Sequence, residues 1–400
     1  MPLIDKIGFI VHEPTLWSHY SSVWKHLDRS RFEIVLTSGF RQSPTADRVP
    51  GIAGFMEQVQ RHGYPVAWSD ERIRKDEKYA YTVSNHHLGG NSMQPAPALK
   101  RALAAASRGA RRAANAMAPL VRRPPPYRIH GFAPDQYWPT QLGHKQIRFM
   151  YGADVGDGWS LDGWNELYAG FLCHGPNDQE QIAKRFAGRT WQMGYPRYDD
   201  YFDPALDTSA ERAEFDIDPR LKTVLWMPTF GDGACSIPFF ARQLAQYNTR
   251  YNLIVRPHPF TFRKKPEDIA LLRSLGYRLD DNPVRDMNKL YRLTDFLLCD
   301  YGGSAFGAVY LRKPMVLLDV PGSRDWYTVR NSSNLALAGH YPSVAPDDAA
   351  RLGPLLDDEP YWAAQLLASA PLADRYFADY RGTSSMRAAE ILMNLDRLLA

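Results

Sequence analysis

Cysteine is scarce in this chain of 400 residues, and its scarcity excludes two kinds of protein. Only Cys173, Cys235 and Cys299 are present, and their wide spacing fits neither a disulfide framework nor a zinc site with paired ligands. Long apolar runs are also lacking. The most apolar stretch, 296–320, is interrupted by four charged residues and falls short of the roughly 18 residues of a membrane helix. We expect reduced thiols and no membrane span.

A strong excess of one charge is likewise missing. The 48 Lys and Arg residues nearly balance the 44 Asp and Glu residues, leaving a formal charge of +4. Basic residues do not cluster with aromatic residues in a nucleic-acid motif, so no nucleic-acid partner is predicted. The small basic excess favours anionic substrates or an anionic membrane surface. No signal peptide is recognisable before the first apolar pattern, and the expected location is the cytoplasm.

Extended and helical patterns alternate along most of the chain, which is typical of an α/β protein with parallel sheets. The alternation predicts two Rossmann-like, doubly wound domains that face each other across a cleft. They are expected at 1–205 and 206–375, with 376–400 as a C-terminal helix that packs back towards the first domain. Ligands of such sheets bind beyond the carboxyl ends of the strands, so the loops after the strands are the candidate site.

The segment 95–126 departs from this alternation because it is rich in Ala, Arg and Pro. It is predicted to be an insertion in the first domain. One interpretation is a solvated helix that ends in the prolines at 124–126. The other is a basic surface that meets anionic lipid or polymer, which would place the protein peripherally on the inner face of the cell membrane.

Two loops in the second half carry groups suited to phosphate. The apolar strand pattern at 296–299 runs into Gly302, Gly303 and Ser304 and then a helix, and a helix N-terminus offers free N–H groups to an anion. Another strand pattern ends at Arg256 and His258, a permanent cation and a side chain that donates or ionises near neutral pH. The alternatives are an ordinary tight turn and a structural histidine.

Two further strand ends give weaker signals. Thr229 follows the strand pattern at 223–227 and is a candidate contact for donor phosphates. In the first domain, Tyr151, Asp154 and Asp157 lie on a glycine-rich loop after an apolar strand pattern. Carboxylates that face a cleft can act as general bases. Solvated loop acids are the alternative interpretation.

Taken in order, these motifs resemble the CDP-glycerol glycerophosphotransferase family. The likeness rests on Arg-x-His-Pro at 256–259, Cys-Asp-Tyr-Gly-Gly-Ser at 299–304, Lys-Pro at 313–314, Pro-Thr at 228–229, Gly-Tyr-Pro-Arg-Tyr-Asp at 194–199 and Arg-Gly-Thr-Ser-Ser at 381–385. It implies the GT-B architecture and transfer of glycerol phosphate or a related polyol phosphate from a CDP-activated donor. The implied acceptors are polymers or lipid-linked chains of teichoic acid or capsule at the inner face of the membrane. No metal or other cofactor is implied.

The resemblance also assigns candidate roles. His258 is the catalytic group at the donor diphosphate, and the donor-binding residues are Arg256, Thr229, Asp300, Gly302, Gly303, Ser304, Ser384 and Ser385. The chain departs from the family at Tyr151, where the family shows the histidine of Trp-His-Gly, so it is a divergent member. Either Asp154 or Asp157 replaces that histidine as the base, or the donor differs, or catalysis has been lost.

Two other functions therefore stay open beside the polyol-phosphate transferase. One is a GT-B glycosyltransferase that uses a sugar nucleotide, including a CMP-linked acid, for surface polysaccharide. The other is a nucleotide-binding protein of the same fold without catalysis. Product analysis with several nucleotide donors distinguishes the polyol-phosphate transferase from the glycosyltransferase. Tight nucleotide binding without turnover would identify the protein without catalysis.

Overall fold

The computed structural model describes residues 3–37, 40, 52–86, 138–157, 160–231, 233–282 and 285–400. Within these ranges the strands form two parallel sheets. The first sheet contains β1 (Leu3–Val11), β2 (Phe32–Leu36), β3 (Val66–Trp68), β4 (Lys78–Ser84), β5 (Gly143–Phe149), β6 (Gly170–Cys173) and β7 (Arg189–Gln192). The second contains β8 (Thr223–Met227), β9 (Asn252–Val255), β10 (Arg278–Leu279), β11 (Phe296–Cys299), β12 (Met315–Leu318) and β13 (Ser343–Val344).

Helices follow most strands and cover the faces of both sheets. The helices of the first sheet are α1 (Trp17–Trp24), α2 (Ile52–His62), α3 (Ser69–Arg74), α4 (Trp138–Leu142) and α5 (Pro176–Ala183), and α6 (Ser209–Glu214) lies between the two sheets in sequence. Those of the second are α7 (Ile237–Leu244), α8 (Pro259–Lys264), α9 (Pro266–Ser274), α10 (Met287–Leu293), α11 (Gly303–Leu311) and α12 (Ser323–Val329). The chain ends with α13 (Leu352–Asp357), α14 (Glu359–Ala368), α15 (Ala370–Tyr376), α16 (Ser384–Met393) and α17 (Leu395–Leu398).

The strand order puts the chemistry-bearing loops side by side. The first sheet has the order β3-β2-β1-β4-β5-β6-β7, and the second has the order β10-β9-β8-β11-β12-β13. Each order reverses direction once, between β1 and β4 and between β8 and β11. In open α/β sheets the crevice at this reversal is where ligands bind. The loops after β1, β4 and β5 and after β8, β9 and β11 are therefore the expected walls of a site.

Burial explains why both sheets are stable. Strands such as β2, β9, β11 and β12 are buried along their whole length, as parallel strands covered on both faces must be. The end of the chain also packs on the first sheet, since Ala388, Ile391, Leu392 and Leu395 belong to the same apolar cluster as Phe9. The predicted fold class, two doubly wound α/β sheets in a GT-B-like arrangement, is confirmed.

The sequence patterns missed two strands and several helices of the described chain, including α2 and α14. β10 and β13 have two residues each, too few for a periodic signal. The predicted basic insertion at 95–126 lies outside the described residues. Of the helices that the structure does describe, each is too short or too polar to cross a lipid bilayer.

Candidate active site

A cavity of about 630 Å³ lies between the carboxyl edges of the two sheets. We call its two sides the first-domain wall and the second-domain wall. The first-domain wall includes His12, His19, Asn85, His86, Tyr151 and Asp154, and the second-domain wall includes Thr229, Arg256, His258, Arg285, Gly303 and Ser304. A separate concavity of about 560 Å³ runs along α16, away from these strand ends. Because titratable groups converge on the first cavity, it is the candidate active site.

His258 is positioned as the N-cap of α8, directly after β9. Its Nδ1 accepts a hydrogen bond from the Phe260 backbone N–H at 3.1 Å, so the neutral ring carries its proton on Nε2. Although the ring surface is open to the cleft, desolvation by the surrounding protein, together with Arg256 and Arg263, lowers the pKa of His258 to about 4. Near neutral pH the residue is therefore an uncharged Nε2–H donor that lines the cavity.

Arg256 also lines the cavity, but it already has internal partners. Its guanidinium pairs with the buried Asp280 and donates to the Asn282 carbonyl at 3.0 Å. Arg285 pairs with the same Asp280 and with Glu214. The structure thus brings Arg256 to the predicted place, with part of its charge balanced by a carboxylate that also orients it.

The turn after β11 contains residues with two different roles. Gly302 is the N-cap of α11, and the position of a Cβ on Gly302 would be 3.0 Å from the Thr229 hydroxyl, so a side chain there would crowd the loop after β8. Gly303 and Ser304 form the first turn of α11 and face the cavity. The free N–H groups of such a nine-residue helix suit an anion.

Asp300, predicted to bind the donor, instead holds this turn from behind. It is 1% exposed, and its Oδ2 accepts hydrogen bonds from the backbone N–H groups of Thr229 at 2.8 Å and Ser236 at 3.0 Å. Burial raises the pKa of Asp300 to about 7. The carboxyl therefore joins the loop after β8 to the turn after β11 and is not among the residues that line the cavity; its contact with the donor stays a prediction.

The two carboxylates predicted as candidate bases, Asp154 and Asp157, differ in their position relative to the cavity. Asp154 lines the cavity, and its Oδ1 is 3.2 Å from the position of a Cβ on Gly303 of the opposite wall. Burial raises the pKa of Asp154 to about 6. Asp157, in contrast, forms an ion pair with Arg185 at 3.2 Å, and its backbone N–H bonds to the Arg330 carbonyl at 2.8 Å. It is not among the cavity-lining residues, so its predicted role as base loses its geometric support.

Three histidines that the sequence interpretation missed lie on the same wall as Tyr151, and two of them contact its side chain. Nε2 of His86 lies 3.2 Å from the Tyr151 hydroxyl, the rings of His19 and Tyr151 are 5.6 Å apart, and the rings of His12 and His86 are 6.5 Å apart. His12 directly follows β1 and His86 closely follows β4. Their positions at strand ends were a usable signal, although the sequence alone does not show that β1, β4 and β5 are neighbours.

Ser384 and Ser385, which are predicted to bind the donor, are not among the residues that line the cavity, and their donor-binding role stays a prediction. The backbone N–H groups of both residues bond to the Asp199 carboxylate, at 3.2 Å and 2.6 Å. The Ser384 hydroxyl accepts the Tyr195 N–H at 3.0 Å. An internal carboxylate therefore occupies the N-terminus of α16, and this contact holds the last helices of the chain to the segment at 194–199.

Comparison with known proteins relates the sequence and the fold of this chain to characterised families. Residues 177–328 match the model of the family described as CDP-Glycerol:Poly(glycerophosphate) glycerophosphotransferase. Among curated relatives, the teichoic acid ribitol-phosphate polymerase TarL of Staphylococcus aureus is 30% identical over 48% of this chain and 35% of its own length. The teichoic acid glycerol-phosphate primase of Bacillus spizizenii is 28% identical over 38% of this chain and 41% of its own. The chain thus spans about two fifths or less of these relatives.

Solved structures agree on the fold. The wall teichoic acid polymerase TagF has a TM-score of 0.62 at 12% identity, covering 98% of this chain and 90% of that chain. A UDP co-structure of MnaA from S. aureus has a TM-score of 0.56 at 12% identity, covering 99% and 98%. At such identities the likeness establishes a shared two-sheet architecture. The family model confirms the resemblance for the motifs that lie within residues 177–328.

Proposed function

We propose that this chain, whose residues 177–328 match the glycerophosphotransferase family model, transfers glycerol phosphate or a related polyol phosphate. The donor would be CDP-linked, and the acceptor would be a teichoic acid or capsule chain at the inner face of the cell membrane. The observation that carries this proposal is the second-domain wall, where His258, Arg256 and the N-terminus of α11 line one cavity. These groups suit a diphosphate and need no metal ion.

The reaction follows from the charges of that wall. An acceptor hydroxyl attacks the phosphorus that carries the polyol, and the bond from that phosphorus to CMP breaks. Negative charge then grows on the departing CMP oxygen. The Nε2–H of His258 and the N–H groups of Gly303 and Ser304 would stabilise that charge, with Arg256 adding a cation oriented by Asp280.

On the acceptor side a base must take the hydroxyl proton. The described first-domain wall offers Asp154, whose raised pKa of about 6 suits a base near neutral pH. It also offers His86 in contact with Tyr151. These two candidates lie at different distances from the donor side, because the Asp154 carboxylate already lies beside Gly303.

Nucleotide preference tests the proposed donor. At equal concentration, a ligand that binds only the native state raises the melting temperature more the more tightly it binds. CDP-glycerol and CDP-ribitol should therefore raise the Tm more than matched UDP-linked and GDP-linked compounds. Product analysis with the same donors then shows whether a polyol phosphate is transferred. Equal shifts for all nucleotides would remove the support for cytidine, and transfer of a sugar alone would identify a glycosyltransferase.

A further inference from the structure

The first-domain wall contains a group of residues that the donor chemistry does not use. His12, Asn85, His86 and Tyr151 follow β1, β4 and β5, which are adjacent strands of one parallel sheet. Their loops therefore meet at one edge, where the sheet order reverses. This edge is the part of the first domain where a ligand is expected.

We propose that Tyr151 and His86 form a proton relay for the acceptor hydroxyl, an inference that rests on the proposed transfer reaction. The acceptor hydroxyl gives its proton to the phenol oxygen of Tyr151 while Tyr151 passes its own proton to Nε2 of His86. The acceptor oxygen bonds to the donor phosphorus, and the bond from phosphorus to CMP breaks with its electron pair on CMP. Tyr151 ends as a phenol and His86 as an imidazolium.

The geometry supports a relay because each partner is held in place. The Tyr151 hydroxyl and His86 Nε2 are 3.2 Å apart, and the Tyr195 hydroxyl donates to the Tyr151 carbonyl at 3.3 Å. The ring of Trp164 packs on His86 at 5.7 Å, and the buried Arg148 lies 4.3 Å from the Trp164 ring. The histidine is therefore supported from behind while the tyrosine faces the cavity.

The exposure of these residues points to an acceptor at this edge. Tyr151 keeps 36% of its surface exposed and lines the cavity. Asn85 is only 2% exposed, and its Oδ1 has no hydrogen-bond partner among the described residues. A buried amide oxygen without a partner is costly. A polyol acceptor has more than one hydroxyl, so a second hydroxyl would supply the missing donor to Asn85 Oδ1 while the attacking hydroxyl gives its proton to Tyr151.

Tyr151 needs a partner in order to accept a proton. Desolvation and the negative charge of Asp154 raise the pKa of Tyr151 to about 12, so the free tyrosinate is rare near neutral pH. A tyrosine can still transmit a proton when a neutral imidazole takes its own proton at the same time. Asp154 fits the base role less well, since its carboxylate lies beside Gly303, where the anionic donor is expected.

The relay predicts the direction of the pH dependence. His86 must be neutral to accept a proton, so kcat should be present above the pKa of His86 and lost below it. The other titratable or charged groups around it are His12, Glu13, His19, Arg148 and Asp154. Burial lowers the pKa of His12 to about 4 and also lowers that of His19. Burial raises the pKa of Asp154 to about 6, so the Asp154→Asn variant is needed to tell the titration of this carboxyl from that of the imidazole.

The experiment compares four single variants and one double variant with the wild type, using whichever nucleotide donor the wild type turns over. Tyr151→Phe removes the relaying hydroxyl, and His86→Gln keeps a hydrogen-bonding group near Nε2 that cannot take a proton. Each should lower kcat about 10²-fold with donor KM little changed, and the double variant should be no slower than the slower single variant. Asp154→Asn should keep the acid limb of the pH profile, whereas His86→Gln should lose it. His340→Asn, an exposed histidine outside the cavity, is the matched control.

Different outcomes separate this inference from the proposed function. Turnover of UDP-linked instead of CDP-linked donors would refute the proposed CDP-linked donor. The ratios of kcat between the variants and the wild type would still test the relay. A wild-type rate in His86→Gln, or multiplying losses in the double variant, would overturn the relay while the transferase stands. Loss of the acid limb in Asp154→Asn would assign the base to Asp154. No turnover with any nucleotide donor would refute both.

Discussion

The two walls of the cavity differ in the kind of group they present. The second-domain wall offers backbone N–H groups, two arginines and a neutral histidine donor, whereas the first-domain wall offers rings and proton acceptors. Groups of the first kind bind an anion and stabilise growing negative charge. Groups of the second kind move a proton. The division suggests that donor binding and acceptor activation are assigned to separate domains.

Within the second-domain wall, the largest effect on kcat is expected from His258. His258→Ala should lower kcat by roughly 10²-fold, the size seen when a preorganised donor to a developing charge is removed. His258→Asn is the sharper variant, because its side-chain oxygen can still accept the Phe260 N–H that caps α8. We expect it to fold like the wild type and yet be as slow as His258→Ala. Full activity in His258→Asn would show that the Nε2–H of His258 does not contribute to catalysis.

A second test concerns the carboxyl that supports this wall. The pKa of Asp300 rises from 3.8 to about 7 on burial, so its charged form is disfavoured in the folded state. The contribution of this group to the free energy of unfolding is therefore fully present below about pH 4 and is lost as pH rises through about 7. The side chain in Asp300→Asn stays neutral at every pH. The variant should therefore lose this part of the pH dependence of the free energy of unfolding, which amounts to at most about 1.4 kcal/mol per pH unit.

Urea unfolding of the wild type and Asp300→Asn between pH 5 and pH 8 measures the difference. Asp154 and Asp199 also have pKa values raised to about 6, but both remain in the variant and cancel in the comparison. Parallel pH profiles for the two proteins would mean that Asp300 is ionised in the folded state. The second-domain wall would then carry a buried negative charge behind the donor site.

The second-domain wall was largely predictable because its residues are close in sequence to one apolar strand each. Gly303 and Ser304 follow β11, and Arg256 and His258 follow β9, so a strand pattern with a polar end was enough. The partner of Arg256 was not predictable. Asp280 comes from the segment after β10, a strand of two residues that leaves no periodic signal.

The first-domain wall was harder to predict because it depends on strand order. His12, His86 and Tyr151 come from three distant parts of the chain, and they meet only because β4 pairs with both β1 and β5. Such pairing is decided by crossover connections and packing. The same limit applies to Ser385 and Asp199, whose contact spans 186 positions; sequence spacing gave no indication that one would cap the other.

The smallest effect is expected from the two serines that lie away from the cavity. The Ser385 hydroxyl and N–H both bond to Asp199, so Ser385→Ala removes one of several hydrogen bonds to a buried carboxylate. The free energy of unfolding should fall by about 1 kcal/mol. The Kd for the donor nucleotide should not change, since this contact belongs to α16 and not to the cavity.

Ser304→Ala is the matched comparison for that serine, because Ser304 lies on the second-domain wall at the N-terminus of α11. It should weaken nucleotide binding while leaving the free energy of unfolding nearly unchanged, the reverse of the Ser385→Ala pattern. Isothermal titration and urea unfolding of both variants give the two quantities. If Ser385→Ala weakened nucleotide binding as much as Ser304→Ala did, the donor would have to reach the Asp199 contact. The division between a donor-binding wall and a purely structural helix end would then be wrong.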